Sequence, residues 1–312
     1  MKLAYFDNFR LGVIFKNQIC DVTDELSDLS CRGPEDLMSL LIEQFPAYRG
    51  RLEAAVARTR GVDLGQVKLR APLPRPANIV CMAVNYDDGL ISSSHTNAFH
   101  KAASAIIGPN DTMVLPDVPA TVFEGEAELA VIIGRRASHV RADEAMEYVF
   151  GYTNFIDGSA RGLPPPTNVF FQMKSRETFA PIGPYIVTRD EISDPQNLRI
   201  RLWVNGEVKQ DFNTSKMVTN IKNSIAWLSA IHPLMPGDII ATGTDHCGLN
   251  AFQDGDVVEL ETEGLGVLRI NIKDELKRTW SRDRRIDRHK KGLSNTMAPQ
   301  LSGKYAVEAK AT

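Results

Sequence analysis

The sequence predicts an α+β fold in which a small N-terminal unit precedes a larger, β-rich domain. Strand signals dominate beyond about residue 77, and helical periodicity is confined to a few separate segments. Strands and helices do not alternate one for one, as a doubly wound parallel sheet would require. With 312 residues, 43% of them apolar, the chain is long enough to bury one sizeable core and a lesser one.

Taken in order, two short strands are predicted at Lys2–Asp7 and Arg10–Phe15. A helix is predicted from Pro34, which suits a first helical position, to Phe45, with Leu37, Leu40 and Leu41 on one face. A second amphipathic stretch runs from Tyr48 to Arg60. Prolines at 72, 74 and 76 mark a boundary, so residues 1–70 read as the N-terminal unit and 71–276 as the main domain. Within the latter, Leu129–Ile133 is an apolar run ending at Gly134, as in a buried strand. A helix is expected at Ala142–Val149, and another where Met217, Ile221, Ile225 and Leu228 recur. Leu198–Val204 alternates and meets Asn205-Gly206, a strong hairpin turn; Val258–Glu263 and Val267–Ile270 form a second strand pair about Gly264-Leu265-Gly266. Residues 277–312 differ in character, eight of the fifteen from Lys277 to Lys291 being Lys or Arg; they read as a flexible, basic extension.

The bulk numbers exclude several classes. A net charge of −3 offers no general attraction for nucleic acid or an anionic membrane. The N-terminal stretch from Met1 to Asp7 meets a charge too early for a secretory signal, and no apolar run of about 18 residues exists. Four cysteines (Cys20, Cys31, Cys81, Cys247) at wide spacings form neither a zinc motif nor a disulfide framework, and the expected compartment is the reducing cytoplasm.

The chemistry centres on Glu124-Gly125-Glu126-Ala127-Glu128. Residues two apart on a strand share a face, so Glu126 and Glu128 would aim together at the edge of an apolar sheet. Such carboxylates repel unless a cation lies between them, and all-oxygen ligands favour Mg²⁺, Mn²⁺ or Ca²⁺ over zinc. The alternative is an exposed edge strand with solvated glutamates. Asp157, where a strand is expected to run into a loop, offers a third carboxylate or merely a turn cap. Arg161 and Lys174 stand close by in sequence to neutralise surplus charge or to hold a substrate carboxylate. The turn at Gly243-Thr244 can present N–H and hydroxyl donors to an anion, or simply connect.

In this order the residues resemble the fumarylacetoacetate hydrolase superfamily from about Ala77 to Ile272. The resemblance rests on Asn85-Tyr86-x-Asp88, on Phe99-x-Lys101-x-x-Ser104-Ala105-x-Ile107-Gly108-Pro109, and on Glu126-x-Glu128-Leu129-Ala130-Val131. It continues through Asp157-x-Ser159-Ala160-Arg161, Lys174-Ser175-x-x-Thr178-Phe179-Ala180-Pro181, Gln210-x-x-Asn213-Thr214-Ser215 and Pro236-Gly237-Asp238-x-Ile240-Ala241-Thr242-Gly243-Thr244. It implies a mixed β-roll, a homodimer, and one Mg²⁺ (or Mn²⁺ or Ca²⁺) held by Glu126, Glu128 and Asp157. It further implies an active-site lysine at Lys174 and an oxo-acid bound at the Gly243-Thr244 turn, with Arg161, Tyr86 and Gln210 as further substrate-binding candidates.

Three departures matter. Where the family's hydrolases carry a histidine and a glutamate that activate water, this chain has Gly89 and Ser92. Gly162 and three prolines follow Arg161 where aspartate is common, and Asp245-His246 replaces proline after Gly243-Thr244. Two histidines are candidate substitute bases: His246, beside the turn, and His95, on the altered lid. The first expectation is therefore hydrolysis of a carbon–carbon bond in an acylpyruvate-type dioxo acid from aromatic catabolism. The alternatives are decarboxylation or isomerisation of an oxo-acid on the same site, neither of which needs attacking water, or a protein that binds metal and oxo-acid without turnover.

Overall fold

The architecture was determined as a computed structural model, which describes residues 1–91, 95–167, 169–293 and 296–306. A mixed sheet forms its backbone. It runs, in spatial order, through Val62–Asp63, Gln18–Asp21, Arg10–Phe15, Lys2–Phe6, Ala180–Thr188, Val149–Arg161, Val122–Ile133, Ile239–Ala241, Ile79–Ala83 and Asn97–Lys101. A second sheet of five strands (Glu207–Asn213, Arg199–Val204, Val257–Thr262, Val267–Lys273, Thr112–Val114) packs on one face of the first. This is the α+β, mixed β-roll arrangement expected.

The predicted hairpin turn lies between Arg199–Val204 and Glu207–Asn213, with Asn205 and Gly206 both at positive φ (53° and 80°). At the centre, Val122–Ile133 is buried along its whole length, and its two sets of alternating side chains enter two cores. Ala127, Leu129, Val131 and Ile133 face the second sheet and meet Ile200, Leu202, Leu260 and Leu268. Ala130 and Ile132 face the other way, into a core completed by Leu3, Leu11, Leu41 and Leu52 of the N-terminal region. The N-terminal unit, expected to stand apart, thus shares a sheet and a core with the main domain, because Lys2 and Leu3 pair with Val187 and Ile186.

Several local readings change. The two N-terminal helical stretches form one helix, Pro34–Arg58, with Pro46 inside it. Proline there forfeits a backbone hydrogen bond at a cost of about 3 kcal/mol. Leu37, Leu41, Phe45, Tyr48, Leu52 and Ala55 stay in phase across it and are all buried, which offsets that loss. The helix expected at 142–149 is a single 3₁₀ turn, Ala145–Tyr148, since only Ala145 finds a buried position. The helix expected from Met217 begins at Ile221, where Asn220 accepts from the backbone N–H of Asn223.

The basic extension is not free. Thr279–Trp280 pairs with Gln300–Ser302, and Trp280 and Arg278 are buried. Its cations find acids on the body: Lys277 with Asp254, Arg278 with Asp274, Arg282 with Asp256 and Arg285 with Glu124. Composition alone made this segment look solvated because the acidic partners lie outside it, Glu124 as far as 161 residues away. Among the described residues no helix is long and apolar enough to cross a membrane.

A buried acidic cluster as candidate metal centre

Strand register builds the site. Val122–Ile133 pairs with Val149–Arg161 so that Glu126 lies directly opposite Asp157. Glu124 and Glu128 share the face of Glu126, while Ser159 and Arg161 share that of Asp157. Asp157 therefore sits inside a long strand, not at its end as the sequence suggested, and both its strand and its neighbour are central and buried. Solvated edge glutamates are excluded. Ligand oxygens of Glu126, Glu128 and Asp157 lie within 4.8 Å of one another, an oxygen-only set that fits a hard divalent cation.

Cations surround this set. Lys174 Nζ lies 2.6 Å from Asp157 Oδ2 and 2.8 Å from Glu126 Oε1; it comes from the short helix Phe170–Lys174. Lys101 Nζ lies 2.5 Å from Asp157 Oδ1, both side chains being fully buried. Arg161 bridges Glu126 and Glu124, and Arg285 reaches Glu124 from the other side. Lys101 and Glu124 stood in the motifs without being singled out, and Arg285 had no local signal at all.

The electrostatics follow. Burial raises the Glu126 carboxyl, but Lys174 and Arg161 together override it and hold the group below the usual carboxylate range. Burial, then the charges of Asp157 and Glu126, pushes Glu128 well above that range. Burial works against the Lys174 ammonium, yet Asp157 and Glu126 more than compensate.

The turn closes one side. Gly243 donates its N–H to Glu128 Oε2 at 2.5 Å. Its φ of 87°, with Asn85 Cβ only 2.9 Å from where a side chain would start, requires glycine. Asn85 ties the turn down through the carbonyls of Thr242 and Thr219. Thr244 Oγ1 donates to the Ala127 carbonyl, and Gln210 Nε2 donates to Thr244 Oγ1 and to the Asp245 carbonyl. These two candidate ligands for substrate thus spend these donors within the protein, Gln210 on the turn and Thr244 on the central strand. Tyr86 is buried edge-on against Phe212, with ring centroids 5.1 Å apart.

The histidines separate. His246 is buried, and its Nδ1 and backbone N–H lie 2.7 and 2.9 Å from Asp88 Oδ2. Asp88 Oδ1 accepts from the backbone N–H groups of Leu90 and Ile91. Burial raises the Asp88 carboxyl, but these bonds outweigh it and keep the group ionised. Opposite an ionised carboxylate Nδ1 carries the proton, which leaves Nε2 as acceptor. His246 stands after Lys174 and Arg161 among the groups that hold the Glu126 carboxyl low. His95 is exposed and lines a cavity of about 210 Å³ with Met82, Asn85 and Thr219. Gly89 has φ of +73° and open space around it, and Ser92 lies outside the described residues.

Next to His246, the Cys247 thiol donates to the Asp88 carbonyl and is pushed up to about 12, first by burial and then by Asp245 and Asp88. At pH 8 its thiolate fraction would be on the order of one in ten thousand. Iodoacetamide at pH 8 is therefore expected to label the exposed Cys31 and to leave Cys247 unmodified, as peptide mass mapping would show. Rapid labelling of Cys247 would mean that the Asp88 loop opens in solution.

Comparison with known proteins agrees with this geometry. The model of the fumarylacetoacetate (FAA) hydrolase C-terminal family matches residues 78–273, and the chain belongs to that family of enzymes. It is 36% identical over 248 residues to the mitochondrial oxaloacetate tautomerase Fahd2a of Rattus norvegicus, covering 75% of this chain and 79% of that one. It is 32% identical over 291 residues to maleylpyruvate hydrolase of Aquipseudomonas alcaligenes, covering 88% and 99%. Among solved structures, maleylpyruvate hydrolase from Sphingobium sp. SYK-6 in complex with manganese (II) ion and pyruvate has a TM-score of 0.80 and 36% identity, covering 88% of this chain and 99% of that one.

Proposed function

We propose that the protein is a divalent-metal-dependent enzyme that converts a small 2-oxo dicarboxylate through its enolate, with keto–enol tautomerisation of an oxaloacetate-like acid as its reaction. Charge balance carries this reading. Four carboxylates (Glu124, Glu126, Glu128, Asp157) meet four cations (Lys101, Arg161, Lys174, Arg285), so the cluster with every group ionised is formally neutral. A bound divalent ion leaves the site with positive charge in excess. A 2-oxo acid gains one negative charge on becoming an enolate, so such a site favours the enolate over the keto form.

Glu126, Glu128 and Asp157 would hold Mg²⁺ or Mn²⁺, which when bound would supply Lewis-acid stabilisation of the enolate charge. The chain supplies the rest. His246 Nε2 moves the proton at the carbon next to the carbonyl, and Asp88 holds the Nδ1–H so that the ring keeps one tautomer. Arg161 and Lys174 bind the acid's charge, and the Gly243-Thr244 turn fixes the Glu128 carboxylate through the Gly243 N–H. Tautomerisation moves a proton between carbon and oxygen and needs no attacking water, which suits a chain with glycine at residue 89.

Hydrolysis of the carbon–carbon bond, placed first from the sequence, becomes the second reading. It is supported by the near-complete coverage of two maleylpyruvate hydrolases and by a histidine–aspartate pair able to activate water. The test is product analysis with Mg²⁺ on freshly dissolved enol-oxaloacetate and on maleylpyruvate. Faster decay of the enol with its carbon skeleton intact is the expected result. Two acids released from maleylpyruvate, with no effect on the enol, would establish the hydrolase instead.

A homodimer belongs to the same proposal, and Phe171, 75% exposed on the helix that carries Lys174, is the apolar residue it would cover. Sedimentation is expected to show a dimer, with Phe171→Glu shifting it toward monomer.

A further inference from the structure

The C-terminal segment reaches the acidic cluster, where the reaction proposed above uses only the formal charge of Arg285. Its helix, Arg285–Lys290, is anchored by its own backbone: Arg285 N–H donates to the Leu249 carbonyl and Ile286 N–H to the Cys247 carbonyl, both at 2.9 Å. From there the Arg285 side chain runs inward. Its Nε lies 3.1 Å from Glu124 Oε1 and its Nη2 2.5 Å from Glu124 Oε2. Glu124 is 1% exposed and Arg285 6%. The same Oε2 also accepts from Arg161 Nε at 3.1 Å, while Arg161 Nη2 pairs with Glu126. The result is an unbroken line of alternating charge, Arg285–Glu124–Arg161–Glu126, leading from the extension to a candidate metal ligand.

We infer that the C-terminal segment is a working part of the metal site, in which Arg285, acting through Glu124, sets how much of the Arg161 charge falls on Glu126. Arg161 and a divalent ion compete for the Glu126 carboxylate. With Arg285 in place, half of the demand of Glu124 is met from outside, and Arg161 stays shared between the two glutamates. Without Arg285, Glu124 is a buried carboxylate with one partner, and it draws Arg161 off Glu126. Without the Glu124 charge, Arg161 turns wholly to Glu126. The two losses therefore act on metal affinity in opposite directions. Arg285 is a positioning residue, and the inference rests on the metal-binding role of the Glu126, Glu128 and Asp157 set but not on the identity of the substrate.

Titration of Mn²⁺ into the full-length protein, with free Mn²⁺ read by its paramagnetic resonance signal, tests this without any substrate. Arg285→Gln is expected to bind Mn²⁺ more tightly and Glu124→Gln more weakly, each by about tenfold, the lower end of what residues behind the ligands do to metal affinity. Arg285→Lys, which keeps the charge, is expected to stay close to wild type. A purely structural role predicts lower melting temperatures for Arg285→Gln and Glu124→Gln with unaltered Mn²⁺ affinity, and that result, or a change of the same sign in both, overturns the inference. If Arg285→Gln does not fold, the double variant Glu124→Gln/Arg285→Met removes both buried charges together. It is expected to bind Mn²⁺ as weakly as Glu124→Gln, and wild-type affinity there overturns the inference equally. A wild-type protein that takes up no Mn²⁺ refutes the metal reading of the cluster, and the inference falls with it.

Discussion

Asp157→Asn is expected to lose Mn²⁺ binding by at least about 100-fold and to destabilise the metal-free protein by about 3–5 kcal/mol. Both effects have one cause. Asp157 is the partner of two fully buried ammonium groups, Lys101 at 2.5 Å and Lys174 at 2.6 Å. Asparagine keeps the volume but removes the charge, leaving Lys101 with the Gly158 carbonyl and Lys174 with Glu126. Breaking a buried ion pair from one side costs far more than its net worth, because the surviving charge stays desolvated. Urea unfolding in the presence of a chelator gives the stability term, and Mn²⁺ titration gives the affinity. A variant as stable as wild type would mean that water or a rearranged carboxylate already serves the lysines.

His246→Ala is expected to lower turnover by about 10²–10⁴-fold, the range for a positioned general base, with Mn²⁺ affinity close to wild type. Asp88→Asn separates positioning from proton transfer. It removes the charge that holds the Nδ1 proton and weakens the acceptor for Leu90 and Ile91, so turnover should fall together with the melting temperature. His95→Ala provides the contrast, since His95 is exposed, and wild-type turnover is expected there. Intact turnover in His246→Ala would move the proton transfer to another group, Lys174 first, as it is the buried ammonium in contact with two candidate ligands.

What was legible in the sequence was whatever short-range pattern determines. The alternation of Glu126 and Glu128 ahead of an apolar run placed two carboxylates on one face, and the strand is there. The Asn205-Gly206 turn and the strands around it follow from local backbone preferences. What pairing across the sheet decides was not legible. That Asp157 stands opposite Glu126 is a matter of register between two strands, which brings together residues 31 apart in sequence. The Pro34–Arg58 helix runs through Pro46 because a core partly built by distant strands rewards its continuous apolar face. The extension looked like solvated charge because its acidic partners, among them Glu124, lie up to 161 residues away. The Asp88–His246 contact spans 158 residues, and only the second of the pair drew notice, through its place beside the turn.

The central claim is that the cluster promotes enolate formation, and exchange of hydrogen at the carbon beside the carbonyl reports that step whatever product follows. Pyruvate in D₂O with Mg²⁺, followed by proton NMR, is the measurement. Wild-type protein is expected to wash out the methyl signal faster than Mg²⁺ alone, and Glu128→Gln, which removes a candidate ligand and the acceptor of the Gly243 N–H, is expected to return the rate to that background. Exchange no faster than background in wild-type protein shown to hold Mg²⁺ would contradict the claim and leave a site that binds oxo-acids without activating them.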